Sequence, residues 1–196
     1  YALAFVIALS TMATLGLWGL TPFVLLAWFG SFFYVAPPVR YGYLGLGELS
    51  VGINMGPVMV VGTYWVISGR VDWAPFLISI PIGLMVAVIL YYQSLPDMET
   101  DLAVHKYTVA VRLGRRRAFH GLIVFWVVIY SSIMGLVLTG YLAWPALLSL
   151  LTIPLLVRLL NIMTETVDWV ELDRYGKYIR ILYLLNGIAI LIALSG

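Results

Sequence analysis

Between Leu95 and Ala118 the sequence reads LPDMETDLAVHKYTVAVRLGRRRA. Asp97, Glu99 and Asp101 fall within five residues and are followed by Lys106, Arg112 and the run Arg115 to Arg117. Asp97 and Asp101 stand four apart, so a helix continuing through them would stack both carboxylates on one face. Like charges at that spacing cost a few tenths of a kcal/mol, roughly 0.2–0.5, and a divalent cation preferring oxygen ligands would offset the cost. Magnesium takes one or two carboxylates, keeps water, and fills its remaining positions with phosphate oxygens. Lys106 and Arg112, with one of Arg115 to Arg117, are the groups to meet phosphate oxygens that the metal leaves uncovered. A diphosphate between magnesium and basic groups accounts for all these residue types. The plainer reading is a charged juxtamembrane loop that signals topology and touches lipid headgroups. Arg115 to Arg117 fit that role well, as stop signals at the membrane surface. Glu99 lies off the Asp97/Asp101 face and is expected in solvent.

The elements that must position these groups are apolar. Of 196 residues, 63% are hydrophobic and only 10% charged, against about 25% charged in an ordinary soluble domain; the mean hydropathy is +1.02. Such a chain cannot cover a water-facing surface and is expected to be an integral membrane protein in contact with lipid. Uncharged runs cover residues 1–39, 49–69, 73–96, 118–157 and 181–196. A hydrocarbon core of about 30 Å takes about 20 helical residues to cross. The second and third runs make one span each. The two long runs make two each, broken at Gly19 to Pro22 and near Thr139 to Pro145, and the last, extended back to Tyr178, makes one. The expectation is an all-α bundle of seven transmembrane spans forming a single domain over 1–196. Barrel strands would alternate apolar and polar residues, and these runs do not. There is no cysteine, which excludes thiolate and disulfide chemistry, and a net charge of +2 is too small to suggest nucleic acid.

Following the spans in order puts residues 37–48, 97–117 and 158–180 on one side. Ten of the eleven lysines and arginines lie there, and only Arg70 lies opposite. The positive-inside rule makes that side cytoplasmic. Eight of the nine acids share it, with Asp72 opposite, so a reaction or binding mouth is expected at the cytosolic end.

The stretch LPDMETDLAVHKYTVAVRLG resembles the second aspartate-rich motif of the UbiA superfamily of membrane prenyltransferases, with Asp97, Asp101, Lys106, Thr108, Ala110, Arg112, Leu113 and Gly114 in register. APPVRYGYLGLGEL, Ala36 to Leu49, is similar to the loop after the fourth helix in the family's dihydroxynaphthoate polyprenyltransferases. One helical hairpin separates the two blocks, as in the family, and the resemblance extends to about Ala118. The family's Asn-Asn pair is Gln93-Ser94 here, its glycine before the lysine is His105, and an arginine before the first aspartate is Pro96.

The resemblance implies a nine-helix fold and magnesium-dependent transfer of a polyprenyl group from polyprenyl diphosphate to an aromatic acceptor. It further implies a dihydroxynaphthoate acceptor and menaquinone synthesis, with hydroxybenzoate or a glycerol-phosphate lipid as the alternatives. Asp97 and Asp101 would bind the metal, and Lys106 the diphosphate. The sequence is expected to begin at the family's third helix, with the first aspartate-rich motif upstream; a partner site from Glu165, Asp168, Glu171 and Asp173 is the other option. Arg40, Tyr41 and Glu48 are candidates for substrate contact, against interfacial anchoring for the first two and a helix-dipole role for Glu48. Asn54, deep in a span, would bond a neighbouring helix or the acceptor. A transporter with a cytosolic cation site is the rival class, but transporters place ionisable groups near the midplane, where these spans have almost none.

Overall fold

The computed structural model describes residues 2–195, and among them every regular element is helical. In chain order these are α1 (Ala2–Leu15), α2 (Thr21–Val35), α3 (Gly47–Ser68), α4 (Trp73–Gln93), α5 (Met98–Ala103), α6 (Val109–Leu138), α7 (Trp144–Glu165) and α8 (Trp169–Ser195). Six segments are long and apolar enough to cross a membrane, the first being α2 with the short helical turn before it, Trp18–Val35. Seven spans were expected. The difference is α1, whose 14 residues reach only about 21 Å at 1.5 Å per residue.

Helix starts follow the side chains that can accept a free N–H. Asp72 caps α4 through the Trp73 N–H at 2.7 Å, and Thr108 caps α6 through the Val111 N–H at 3.4 Å. Asp168 caps α8 through the Val170 N–H at 2.9 Å. Within α6, Gly114 adopts φ 69° and ψ 160°, a conformation open to a residue without Cβ. That break separates the short first stretch of α6 from the long span.

The dense core lies in the C-terminal half. Its buried cluster runs from Ile78 to Ala193 and takes nothing from α1, α2 or α3. Trp126, Tyr91, Tyr92, Leu122 and Ile129 fill it at 2% exposure or less. Tyr91 donates to the Ala118 carbonyl at 2.8 Å and Tyr92 to the Leu172 carbonyl at 2.9 Å, tying α4 to α6 and α8. A polar knot sits between α6, α7 and α8. Thr152 donates its one proton to the Ser149 carbonyl at 2.6 Å. It therefore accepts both from Tyr130 at 2.7 Å and from Asn186 at 3.1 Å, because a hydroxyl has one donor and two acceptor sites.

On its other face α4 meets α3 through glycines. A Cβ on Gly83 would collide with the Gly52 carbonyl oxygen, and one on Gly56 would come within 2.8 Å of the Gly83 Cα. Small residues let two backbones approach in lipid, where apolar attraction between helices is weak. At this contact α3 passes through a π-helical stretch, Asn54–Val58, containing Pro57.

Candidate active site

Helix α4 ends at Gln93 and α5 begins at Met98. The expectation of one helix running on through both aspartates is corrected here. Pro96 supplies no N–H and disfavours the α region for Leu95, so the chain turns and restarts. Asp97 becomes the residue preceding α5, and Asp101 lies inside it. The two carboxylates then differ sharply. Asp97 is exposed at the rim, whereas Asp101 is only 7% exposed.

Lys106 donates to Asp101 Oδ1 at 3.0 Å, and its backbone N–H bonds the Asp101 carbonyl at 2.8 Å. The turn that achieves this passes through His105 at φ 58°, a left-handed conformation that ends helices and favours glycine. The family's glycine at this position therefore has a backbone reason, and His105 adopts the same shape without it. Tyr107 then donates its N–H to the Tyr43 carbonyl at 2.8 Å. This single bond joins the second acidic block to the Ala36–Leu49 loop.

The two blocks enclose a polar cavity of about 150 Å³ lined by Glu48, Asp97, Lys106, Thr108, Gln93 and Tyr34, among others. A second, larger cavity of about 740 Å³ lies between α2, α3 and α4, with mostly apolar walls that include Phe23, Ala27, Val51, Val58 and Gly62. Tyr34 and Leu90 line both cavities. A charged mouth thus opens beside an apolar chamber.

Of the sequence candidates, Glu48, Asp97 and Lys106 share the mouth. Asp101 stands behind Lys106 and fixes it. Tyr41 bonds Ser50 at 2.8 Å and sets its ring edge-on to Tyr34. Asn54 lines the chamber, but its amide donates to the Ser50 carbonyl at 2.9 Å and hydroxyl at 3.2 Å and packs against Gly30. Arg40 and Arg112 do not line either cavity. Arg40 is exposed, 5.8 Å from the Tyr43 ring centroid, and Arg112 donates to the Tyr107 carbonyl at 3.1 Å. Glu165, Asp168, Glu171 and Asp173 are exposed, and among the described residues no three acidic or histidine side chains gather as a metal cluster.

A model of the UbiA prenyltransferase family matches residues 1–169. The chain belongs to that family. A 2-carboxy-1,4-naphthoquinone phytyltransferase of Synechocystis sp. is 30% identical over 164 residues, covering 84% of this chain and 53% of the relative. A 1,4-dihydroxy-2-naphthoate octaprenyltransferase of Mycobacterium leprae is 33% identical over 132 residues, covering 66% and 43%. The human UbiA prenyltransferase domain-containing protein 1 is 30% identical over 128 residues, covering 64% and 36%. The chain spans about half the length of the first of these and less of the others. No solved structure matches it. With six apolar spans, this UbiA-family chain is an integral, multi-pass membrane protein.

Members of the UbiA family generally use magnesium, and the donor set here suits that ion. Asp101 Oδ2 is buried with no hydrogen-bond partner, and Asp97 presents a second hard oxygen at the rim of the cavity. An unpartnered carboxylate oxygen in a buried position calls for a cation or a proton. Tyr34 and Leu90 were not singled out from the sequence. The signal was available in α2, where Phe23, Ala27, Gly30 and Tyr34 recur at helical spacing on one face, and all four line the chamber.

Proposed function

We propose that the protein transfers a polyprenyl group from polyprenyl diphosphate to an aromatic acceptor, a dihydroxynaphthoate on the route to menaquinone. The observation that carries this reading is the pair of adjoining cavities, one charged and one apolar, meeting at Tyr34 and Leu90. That shape suits an amphiphile whose diphosphate head stays in the mouth while its tail lies in the chamber. The naphthoate acceptor rests on the names of the relatives and on the Ala36–Leu49 block. The mouth faces the cytosol in this reading, since ten of eleven basic residues lie on its side of the membrane by the span order.

Asp97 and Asp101 would hold magnesium, which when bound offsets charge growing on the leaving diphosphate. Lys106, oriented by its bond to Asp101, meets phosphate oxygens directly and stabilises the same charge. The allylic C–O bond breaks, the electron pair leaves with the diphosphate, and a ring carbon of the acceptor attacks the allylic carbon. The apolar walls of the chamber keep water from that carbon. Binding a donor with a C–O bond aligned between mouth and chamber contributes through orientation.

The test uses membranes containing the intact protein, supplied with magnesium, a polyprenyl diphosphate and 1,4-dihydroxy-2-naphthoate. Prenylated naphthoquinol and diphosphate in equal amounts are the expected products. Absence of product would overturn the transferase reading, and a preference for hydroxybenzoate would overturn the acceptor.

A further inference from the structure

Glu48 is a mouth carboxylate that, unlike Asp97, has no part in the proposed metal site. It is 6% exposed, lies in the first turn of α3, and lines the polar cavity. The nearby cation, Lys106, is within electrostatic reach but is bonded to Asp101. Glu48 takes part in none of the ion pairs among the described residues. A carboxylate oxygen has capacity for further hydrogen bonds and can only accept them when ionised. Gly42 and Gly47 leave room for Tyr34, because a Cβ at either would press on its ring or hydroxyl, at 2.8 and 3.1 Å. Glu48 and Tyr34 line the same cavity, and Tyr34, with Leu90, is common to mouth and chamber.

Charge decides what such a group can face. A bare carboxylate repels a diphosphate, so Glu48 does not bind the donor head. A neutral O–H donor is the partner that both the geometry and the unused acceptor capacity favour. We propose that Glu48 receives the ring hydroxyl of the aromatic acceptor and takes its proton during transfer. The inference rests on the transferase reading above. In the step, the ring carbon forms a C–C bond to the allylic carbon while the allylic C–O bond breaks and its electron pair leaves with the diphosphate. The hydroxyl proton passes to Glu48, leaving a ring ketone. The newly alkylated carbon then gives its proton to the released diphosphate, or loses carbon dioxide from its carboxylate, either of which restores the aromatic ring as Glu48 returns its proton to the ring oxygen. Atoms balance, and the carboxylate is regenerated. The site thereby selects acceptors in the hydroxyl-bearing form over the corresponding quinones, which offer no proton.

Two measurements on the intact protein in membranes test this. The first compares, in the wild type, a hydroxylated acceptor with its O-methyl ether. The ether should be prenylated at least ~100-fold more slowly, within the range typical of general base catalysis, and equal rates would overturn the proposal. The second compares Glu48→Gln with Glu48→Asp. Glu48→Gln should lower kcat about 100-fold with the donor KM unchanged, and Glu48→Asp should recover part of the loss. A raised donor KM with unchanged kcat would place Glu48 on the diphosphate and overturn the assignment. If the wild type itself forms no product with any acceptor, the transferase reading fails, which is a different result from an active wild type indifferent to Glu48.

Discussion

Helix α4 divides the molecule into two kinds of packing. On its α6 and α8 side, large side chains interlock in a dense core, crossed by the Tyr130–Thr152–Asn186 knot of hydrogen bonds. On its α3 side the contact is made by glycine against glycine, α2 buries no residue fully, and a chamber of about 740 Å³ remains. Both sides place polar groups inside an apolar bundle, where an unbonded polar atom is costly. In the knot the Thr152 hydroxyl and both Asn186 amide hydrogens are fully committed, the second amide hydrogen going to the Leu182 carbonyl at 2.7 Å. At the mouth, Glu48 and Asp97 keep unused acceptor capacity beside open space. Polar groups bonded across helices hold them together even where single atoms such as Asn186 Oδ1 and Ser149 Oγ stay unbonded, and polar groups with spare capacity beside a cavity are placed to meet a ligand.

That contrast can be broken by substitution on each side. Gly83→Leu should have the largest effect on folding. The neighbours it would strike are the backbone of α3, not flexible side chains, so the helices must separate at a cost of about 3 kcal/mol. Thermal unfolding in detergent should show a large drop, and an unchanged transition would refute the close approach. Lys106→Ala should cost somewhat less, about 2 kcal/mol, because it strips a buried carboxylate of its cation while Lys106 itself is 28% exposed. Pairing it with Asp101→Asn should restore the stability but not donor binding, which is read as a raised KM for polyprenyl diphosphate. Restoration of both would show that Lys106 serves the fold alone. Asn186→Leu should have the smallest effect, about 1 kcal/mol or less, since Tyr130 and Thr152 remain bonded. Its donor KM should match the wild type, and a shifted KM would mean that the knot communicates with the site.

Much of the fold was legible because lipid permits few solutions. The long uncharged runs and their Gly/Pro breaks located every span, and only the short α1 fell below the crossing length. A candidate site was legible where residue types were informative: Asp97, Glu48 and Lys106 line one cavity. The sequence was less informative where the chain turns. Pro96 ends the helix that helical spacing alone would have continued, and the resulting geometry buries Asp101 against Lys106, a residue five positions away that no straight helix would bring to it. Arg40 and Arg112 share the family pattern yet stay outside the cavities, since their side chains serve loop contacts with Tyr43 and Tyr107. Tyr34 was hidden because an aromatic near a membrane interface is common, and its place depends on Gly42 and Gly47, which lie beyond its own helix.

The measurement that tests the central claim most directly is magnesium-dependent release of diphosphate by the wild type and by Asp97→Ala in the intact protein. Asp97 is exposed and forms no ion pair among the described residues, so its loss should leave thermal stability within about 0.5 kcal/mol of the wild type. Diphosphate release should fall by about a thousandfold, the scale of a missing electrostatic contact at a reacting group, and added magnesium should not restore it. Undiminished release from a folded Asp97→Ala protein would contradict the account.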